Sequence, residues 1–128
     1  MSILPHVEPL ELSPGESVVA EWFADQMHGD DRFRGKLILT NQRLAYRPTD
    51  MGLAMGAVAA LAGTTMPKGT AWTTALTDIE ALDDDGASEK MGERGRVLRA
   101  RLATGGSQVF FVITDPEACA AAVRAALA

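Results

Sequence analysis

Alternation is the feature that most restricts this chain. Within Arg34–Pro48, Leu37 and Leu39 fall on one side of an extended backbone while Lys36, Ile38 and Thr40 fall on the other. Asn41-Gln42 then interrupts the pattern before Arg43-Leu44-Ala45-Tyr46. A period of two belongs to strands, and Asn tolerates tight-turn backbone angles, so the stretch predicts two strands joined as a hairpin. Such a pairing must bury one face of a larger sheet, which makes the other alternating segments its expected neighbours.

Residues 1–14 hold Pro5, Pro9 and Pro14 and run into Ser13-Pro14-Gly15-Glu16, an extended leader that closes in a turn. A first strand is expected over Ser17–Asp25, with Val18, Ala20, Trp22 and Ala24 on the core face and Val19, Glu21, Phe23 and Asp25 on the other. His28-Gly29-Asp30-Asp31 reads as a loop. Beyond Pro48 the chain changes character. Met51–Gly63 carries no charge, and Met51, Met55, Val58 and Leu61 or Ala62 recur at helical spacing beside the small residues Gly52, Gly56 and Ala60. A short helix at about 51–63 is expected inside an apolar insertion at 51–68, a run shorter than the roughly 20 residues of a membrane span.

Strands are expected again over Ala71–Leu76 and Asp78–Leu82, with Trp72 and Leu76 in the core. Asp83–Gly95 is rich in charge and glycine and reads as a mobile loop. A second hairpin, Arg96–Thr104 with Ser107–Ile113, turns at Gly105-Gly106, where both residues can take positive φ. Leu98, Ala100 and Leu102 face inward there, leaving Arg99 and Arg101 in solvent. A helix starts at Thr114-Asp115-Pro116-Glu117, either with Asp115 as N-cap before Pro116 or with Thr114 and Glu117 as a capping box. Cys119, Val123 and Ala126 or Leu127 share its docking face.

The 128 residues, 47% hydrophobic and 23% charged, suit one folded domain over 15–128 behind the leader. A net charge of −5 argues against a nucleic-acid partner, which demands a clustered surplus of Lys and Arg. Cys119 stands alone, and Met1–His6 lacks the basic segment and apolar run of a signal peptide. A cytoplasmic setting is therefore expected, extending to the inner face of the membrane. The excess of Arg over Lys and the abundance of Ala suggest a bacterial source.

Seven strands and a C-terminal helix are the order of a mainly β, pleckstrin-homology-like (PH-like) sandwich or barrel closed by its helix. Three segments carry a more specific likeness: Pro14-Gly15-Glu16, Gly35-Lys36-Leu37-Ile38-Leu39-Thr40-Asn41-Gln42-Arg43-Leu44 and Ala75-Leu76-Thr77-Asp78-Ile79. In order and spacing they resemble the PGE-type start, the "GxLxLTNxRL" hairpin and the "pLxdI" strand end of GRAM domains and related bacterial PH-like domains. The resemblance covers roughly residues 12–127 and departs from the family at the apolar insertion. It implies a binding module with no catalytic role, acting through protein association or peripheral membrane contact, and it fixes no ligand.

Two candidate sites follow. Arg32, Arg34 and Lys36 alternate along one strand and project from one face, the expected stripe for an anionic ligand such as a lipid headgroup. Glu21 and Asp25, with Asp30-Asp31, stand beside that stripe and favour a locally paired face instead. Met51, Leu53, Met55, Val58 and Leu61 have three readings: packing over the barrel, an interface in a homo-oligomer, or shallow insertion in a bilayer. No catalytic, metal or cofactor set is expected. His6 and His28 sit far apart in polar stretches, Cys119 falls on a helix's inner face, and Asp83-Asp84-Asp85-Gly86 lacks the spacing of a calcium loop. No small-molecule substrate is indicated.

Overall fold

The computed structural model describes residues 9–29, 31–49 and 71–128. The start of the leader and the apolar insertion, including Met51, Leu53, Met55, Val58 and Leu61, lie outside the described residues. Seven antiparallel strands form one curled, half-barrel sheet: β1 (Val18–His28), β2 (Asp31–Thr40), β3 (Arg43–Pro48), β4 (Trp72–Ala75), β5 (Ile79–Lys90), β6 (Glu93–Leu102) and β7 (Ser107–Val112). A 3-10 turn, Leu76–Asp78, joins β4 to β5, and the helix α1 (Pro116–Leu127) ends the chain. The strand order β4-β3-β2-β1-β7-β6-β5 comprises two meanders united where β1 pairs with β7. The mainly β, seven-stranded architecture with a C-terminal helix is thus the one the alternation predicts.

Core packing follows the period of two. Trp22 lies opposite Leu37, Leu37 opposite Tyr46 and Tyr46 opposite Trp72, one residue from each strand of the first meander. Phe110 and Leu98, paired across β7 and β6, complete the layer with Leu39, Leu44 and Ala100. The Phe110 ring lies 5.8 Å from Tyr46 and 5.6 Å from Trp72. Helix α1 contributes Cys119, Ala120 and Val123, with Leu127 rather than Ala126 packed against the core. Asp115 holds the N-cap position ahead of Pro116 in a left-handed conformation without a side-chain cap, so the capping box does not form. Arg124 donates to the Leu82 carbonyl from both Nε and Nη2, tying the helix to the edge strand β5.

Several sequence expectations need correction. Asp83–Gly95 is ordered: it forms most of β5, the Met91-Gly92 turn and the start of β6. Its charge density reflects cross-strand pairing, since Asp83, Asp84 and Asp85 contact Arg101, Arg96 and Arg99 at 2.8, 2.9 and 2.8 Å. The short strand expected at Asp78–Leu82 is consequently 12 residues long. Strand β1 runs on through His28, shortening the expected loop. A register shift between Val18 and Ala20 leaves Val18 exposed, although strict alternation assigns it to the core. The Asn41-Gln42 turn forms as expected, whereas β6 ends at Leu102 and the bend takes in Ala103 and Thr104 before Gly105 and Gly106, at φ 98° and 79°.

Candidate functional site

The face of the sheet opposite the core is not uniformly solvated. Ile38, Ala45 and Phe111 are buried there, outside the main core cluster. Register aligns one residue from each of four strands across this outer face: Arg34 of β2, Asp25 of β1, Phe111 of β7 and Val97 of β6. Arg32 and Lys36 flank Arg34 on the same side of β2, so the three basic residues do share a face.

All three are paired. Arg34 Nε donates to Asp25 Oδ1 at 2.6 Å, and Arg32 Nε lies 2.8 Å from Asp25 Oδ2, a close ion contact without hydrogen-bond alignment. Glu93, from the β5–β6 hairpin, accepts from both guanidiniums through Oε1, at 2.8 Å from Arg32 Nη2 and also from Arg34 Nη2. Lys36 Nζ donates to Glu21 Oε2 at 3.3 Å and lies 5.5 Å from the Phe23 ring centre. Two cations therefore face two carboxylates around Arg32 and Arg34, and the stripe is not an open basic surface. Burial pushes the Glu93 carboxyl up, but the Arg34 hydrogen bond and charge, joined by Arg32, outweigh it and hold the group below its ordinary value. Partial burial lowers Arg34, yet the Asp25 and Glu93 hydrogen bonds raise it overall and keep it charged.

The β5–β6 tip closes over Phe111. In the sheet order β5 is the fourth strand along from β2, yet Arg32 Nη1 donates to the carbonyl of its last residue, Lys90, at 2.9 Å, so the tip reaches back across β7 and β1. The Arg32 guanidinium stands 5.3 Å and the Lys90 ammonium 5.9 Å from the Phe111 ring centre. Gly95 makes this approach possible: a Cβ there would lie 3.0 Å from the ring and 2.3 Å from the Val112 carbonyl oxygen. A cleft of about 300 Å³ beside the tip is lined by Asp25, Asp31, Arg32, Arg34 and Met91. Glu93 and Phe111 escaped the sequence reading. Glu93 sat in the supposed loop, and Phe111 follows Phe110 in a run apolar on both faces.

At the opposite end of β2 a second charged set is closed and structural. The Ser13-Pro14-Gly15-Glu16 turn, with Glu16 N–H bonded to the Ser13 carbonyl, places Glu16 under the β2–β3 turn. Its carboxylate accepts from Thr40 Oγ1 at 2.6 Å and from Arg43 Nε and Nη2 at 2.7 and 2.9 Å. Asn41 Oδ1 accepts from Ser17 N–H at 2.9 Å, and Asn41 Nδ2 donates to the Gly15 carbonyl at 3.0 Å. Glu16, Thr40, Asn41 and Arg43 thus lock the chain's entry to the hairpin.

The Arg43 hydrogen bond, followed by that of Thr40, lowers the Glu16 carboxyl from 4.5 to about 2. A folded-state value below the unfolded one means that the contribution is complete above about pH 4.5 and is lost as pH falls through about 2. Glu16→Gln is expected to be less stable than wild type at neutral pH and to show a flatter acid profile between those limits, measured by urea unfolding over a pH series. Parallel profiles for the two proteins would contradict the latch.

Burial pushes the Cys119 thiol up to about 12, the behaviour of a packed side chain and not of a nucleophile. Among the described residues no group of three or more His, Cys, Asp or Glu could hold a metal ion. Within the same residues no helix is long and apolar enough to cross a membrane. No family model and no curated protein matches this sequence. Among solved structures the chain is similar to the C-terminal domain of an unknown protein from Leishmania infantum, with a TM-score of 0.62 at 8% identity, covering 89% of this chain and 86% of that one. That likeness is one of fold.

Proposed function

We propose that this chain is a non-catalytic association module of the PH-like, GRAM-like type, and that it works through protein contact. Two features support the family reading: the seven-stranded sheet with its closing helix, and the meeting of the motif residues Glu16, Thr40, Asn41 and Arg43 in one latch. The observation that carries the choice of protein over membrane is the pairing of the basic stripe. Arg32 and Arg34 are balanced by Asp25 and Glu93, and Lys36 by Glu21, so little net positive field remains to draw an anionic bilayer.

Flotation with phosphatidylserine-rich and with neutral vesicles tests this reading, and the chain is expected to stay with the unbound fraction in both. Flotation confined to the anionic vesicles and abolished by Arg34→Glu would replace it with peripheral membrane contact. Sedimentation of the intact chain and of a 51–68 deletion identifies the partner class. An oligomer lost on deletion would assign the association to copies of this chain meeting through the insertion.

A further inference from the structure

Asp25 and Glu93 hold the same arginine pair by unequal means. Asp25 is 1% exposed and fixed in the middle of a strand, with β2 on one side and β7 on the other. The Glu93 side chain is 36% exposed at a hairpin tip, and Arg34 beside it is 39% exposed. Water-accessible ion pairs of this kind are individually weak, whereas a buried carboxylate between two guanidiniums cannot leave without stranding charge. Glu93 is the exchangeable partner of the set.

We propose that Arg32 and Arg34 form a carboxylate-exchange site, where an acidic side chain of a partner peptide takes the place of Glu93 and releases the β5–β6 tip. The proposal rests on the reading of the chain as a protein-association module and specifies the chemistry of its partner. The geometry of acceptance is already built: a single oxygen, Glu93 Oε1, receives Nη2 of both arginines. Charge selects the ligand. A carboxylate replacing a carboxylate leaves two positive groups facing two negative ones. A phosphate ester, carrying about −1.5 to −2, would leave surplus negative charge against Asp25 and against Asp31, which lines the same cleft.

The cleft also supplies an apolar contact. Met91 forms part of its wall, is 96% exposed and has φ 49°, a left-handed conformation more usual for Asn or Gly in such a turn. Among the described residues none covers this side chain. An aliphatic residue next to the incoming acid would pack against it, so the partner is an extended segment with Asp or Glu beside an aliphatic residue.

Fluorescence anisotropy of a labelled Glu-Leu repeat peptide, titrated with the full chain, tests the assignment beside a Gln-Leu repeat and a free inositol phosphate. Removing an internal competitor that keeps the site closed about three-quarters of the time tightens apparent binding about fourfold, the gain expected for Glu93→Ala. Arg34→Ala should abolish binding, Arg99→Ala should leave it unchanged, and the Gln-Leu peptide should not bind. Unaltered affinity in Glu93→Ala, or tighter binding of the inositol phosphate than of the acidic peptide, would overturn the proposal. Amide exchange in the wild-type chain gives a reading that needs no variant. The Glu-Leu peptide should accelerate exchange at Gly92–Gly95, and unchanged protection at saturating peptide would refute release of the tip. Failure of these tests in a chain that still ignores anionic vesicles removes the exchange site alone, whereas flotation of the wild-type chain removes the reading beneath it.

Discussion

Phe111→Ala is expected to lower stability by about 3–5 kcal/mol, the range for truncating a buried aromatic residue, although Phe111 lies on the face of the sheet away from the main core. Its exposure is zero, because the β5–β6 tip, Arg32 and Lys90 cover the ring. Truncation leaves a void that the tip can fill only by moving, and Gly95 offers no side chain to fill it. Phe23 supplies the comparison: it shares the outer face but is 43% exposed, and Phe23→Ala should cost about 1 kcal/mol or less. Urea unfolding of both variants at neutral pH measures the difference. A Phe111→Ala loss no larger than that of Phe23→Ala would mean that the tip does not close over the sheet.

Those parts of the fold were legible in the sequence whose cause is local. Asn41-Gln42 and Gly105-Gly106 announce their turns through backbone preferences, and Trp22, Leu37, Leu39, Leu98 and Ala100 reveal the core face by alternating with polar neighbours. Alternation failed where its premise failed. A bulge at Val18–Ala20 shifts the phase, and Val109-Phe110-Phe111-Val112 is apolar on both faces, so the pattern cannot show which aromatic ring enters the core. The acidic run Asp83-Asp84-Asp85 resembles a loop until the basic strand opposite is known, and its partners lie 12 to 18 residues onward at Arg96, Arg99 and Arg101.

The candidate site was half legible for the same reason. That Arg32, Arg34 and Lys36 share a face follows from period two, and Asp25 and Glu21 were placed beside them by the same rule. Glu93 is 61 residues from Arg32, and only the curl of the sheet and the length of the β5–β6 hairpin bring them together. The latch shows the complementary case. Each of its motifs reads as a turn or a strand end alone, and the reason for Glu16 emerges only when Thr40 and Arg43 meet its carboxylate. The two ends of β2 are thereby opposed: at Thr40 the charges are enclosed and hold the fold, while at Arg32 and Arg34 one carboxylate is enclosed and the other is open to water.

That asymmetry gives the second large effect. Asp25→Ala is expected to cost about 2–3 kcal/mol, below the roughly 3–5 kcal/mol of a fully enclosed broken pair because water screens part of the Arg34 charge. The loss arises from Arg32, largely buried and left without its strand-borne carboxylate, and from Arg34, left with Glu93 alone. Glu93→Ala should cost less than about 1 kcal/mol, and that smaller loss should shrink as salt is raised, since exposed pairs are screened and enclosed ones far less so. Urea unfolding of both variants at low and high salt distinguishes the roles. Equal losses with the same salt dependence would make Asp25 and Glu93 equivalent partners, and Asp25 would then no longer be the fixed member around which an outside carboxylate could exchange.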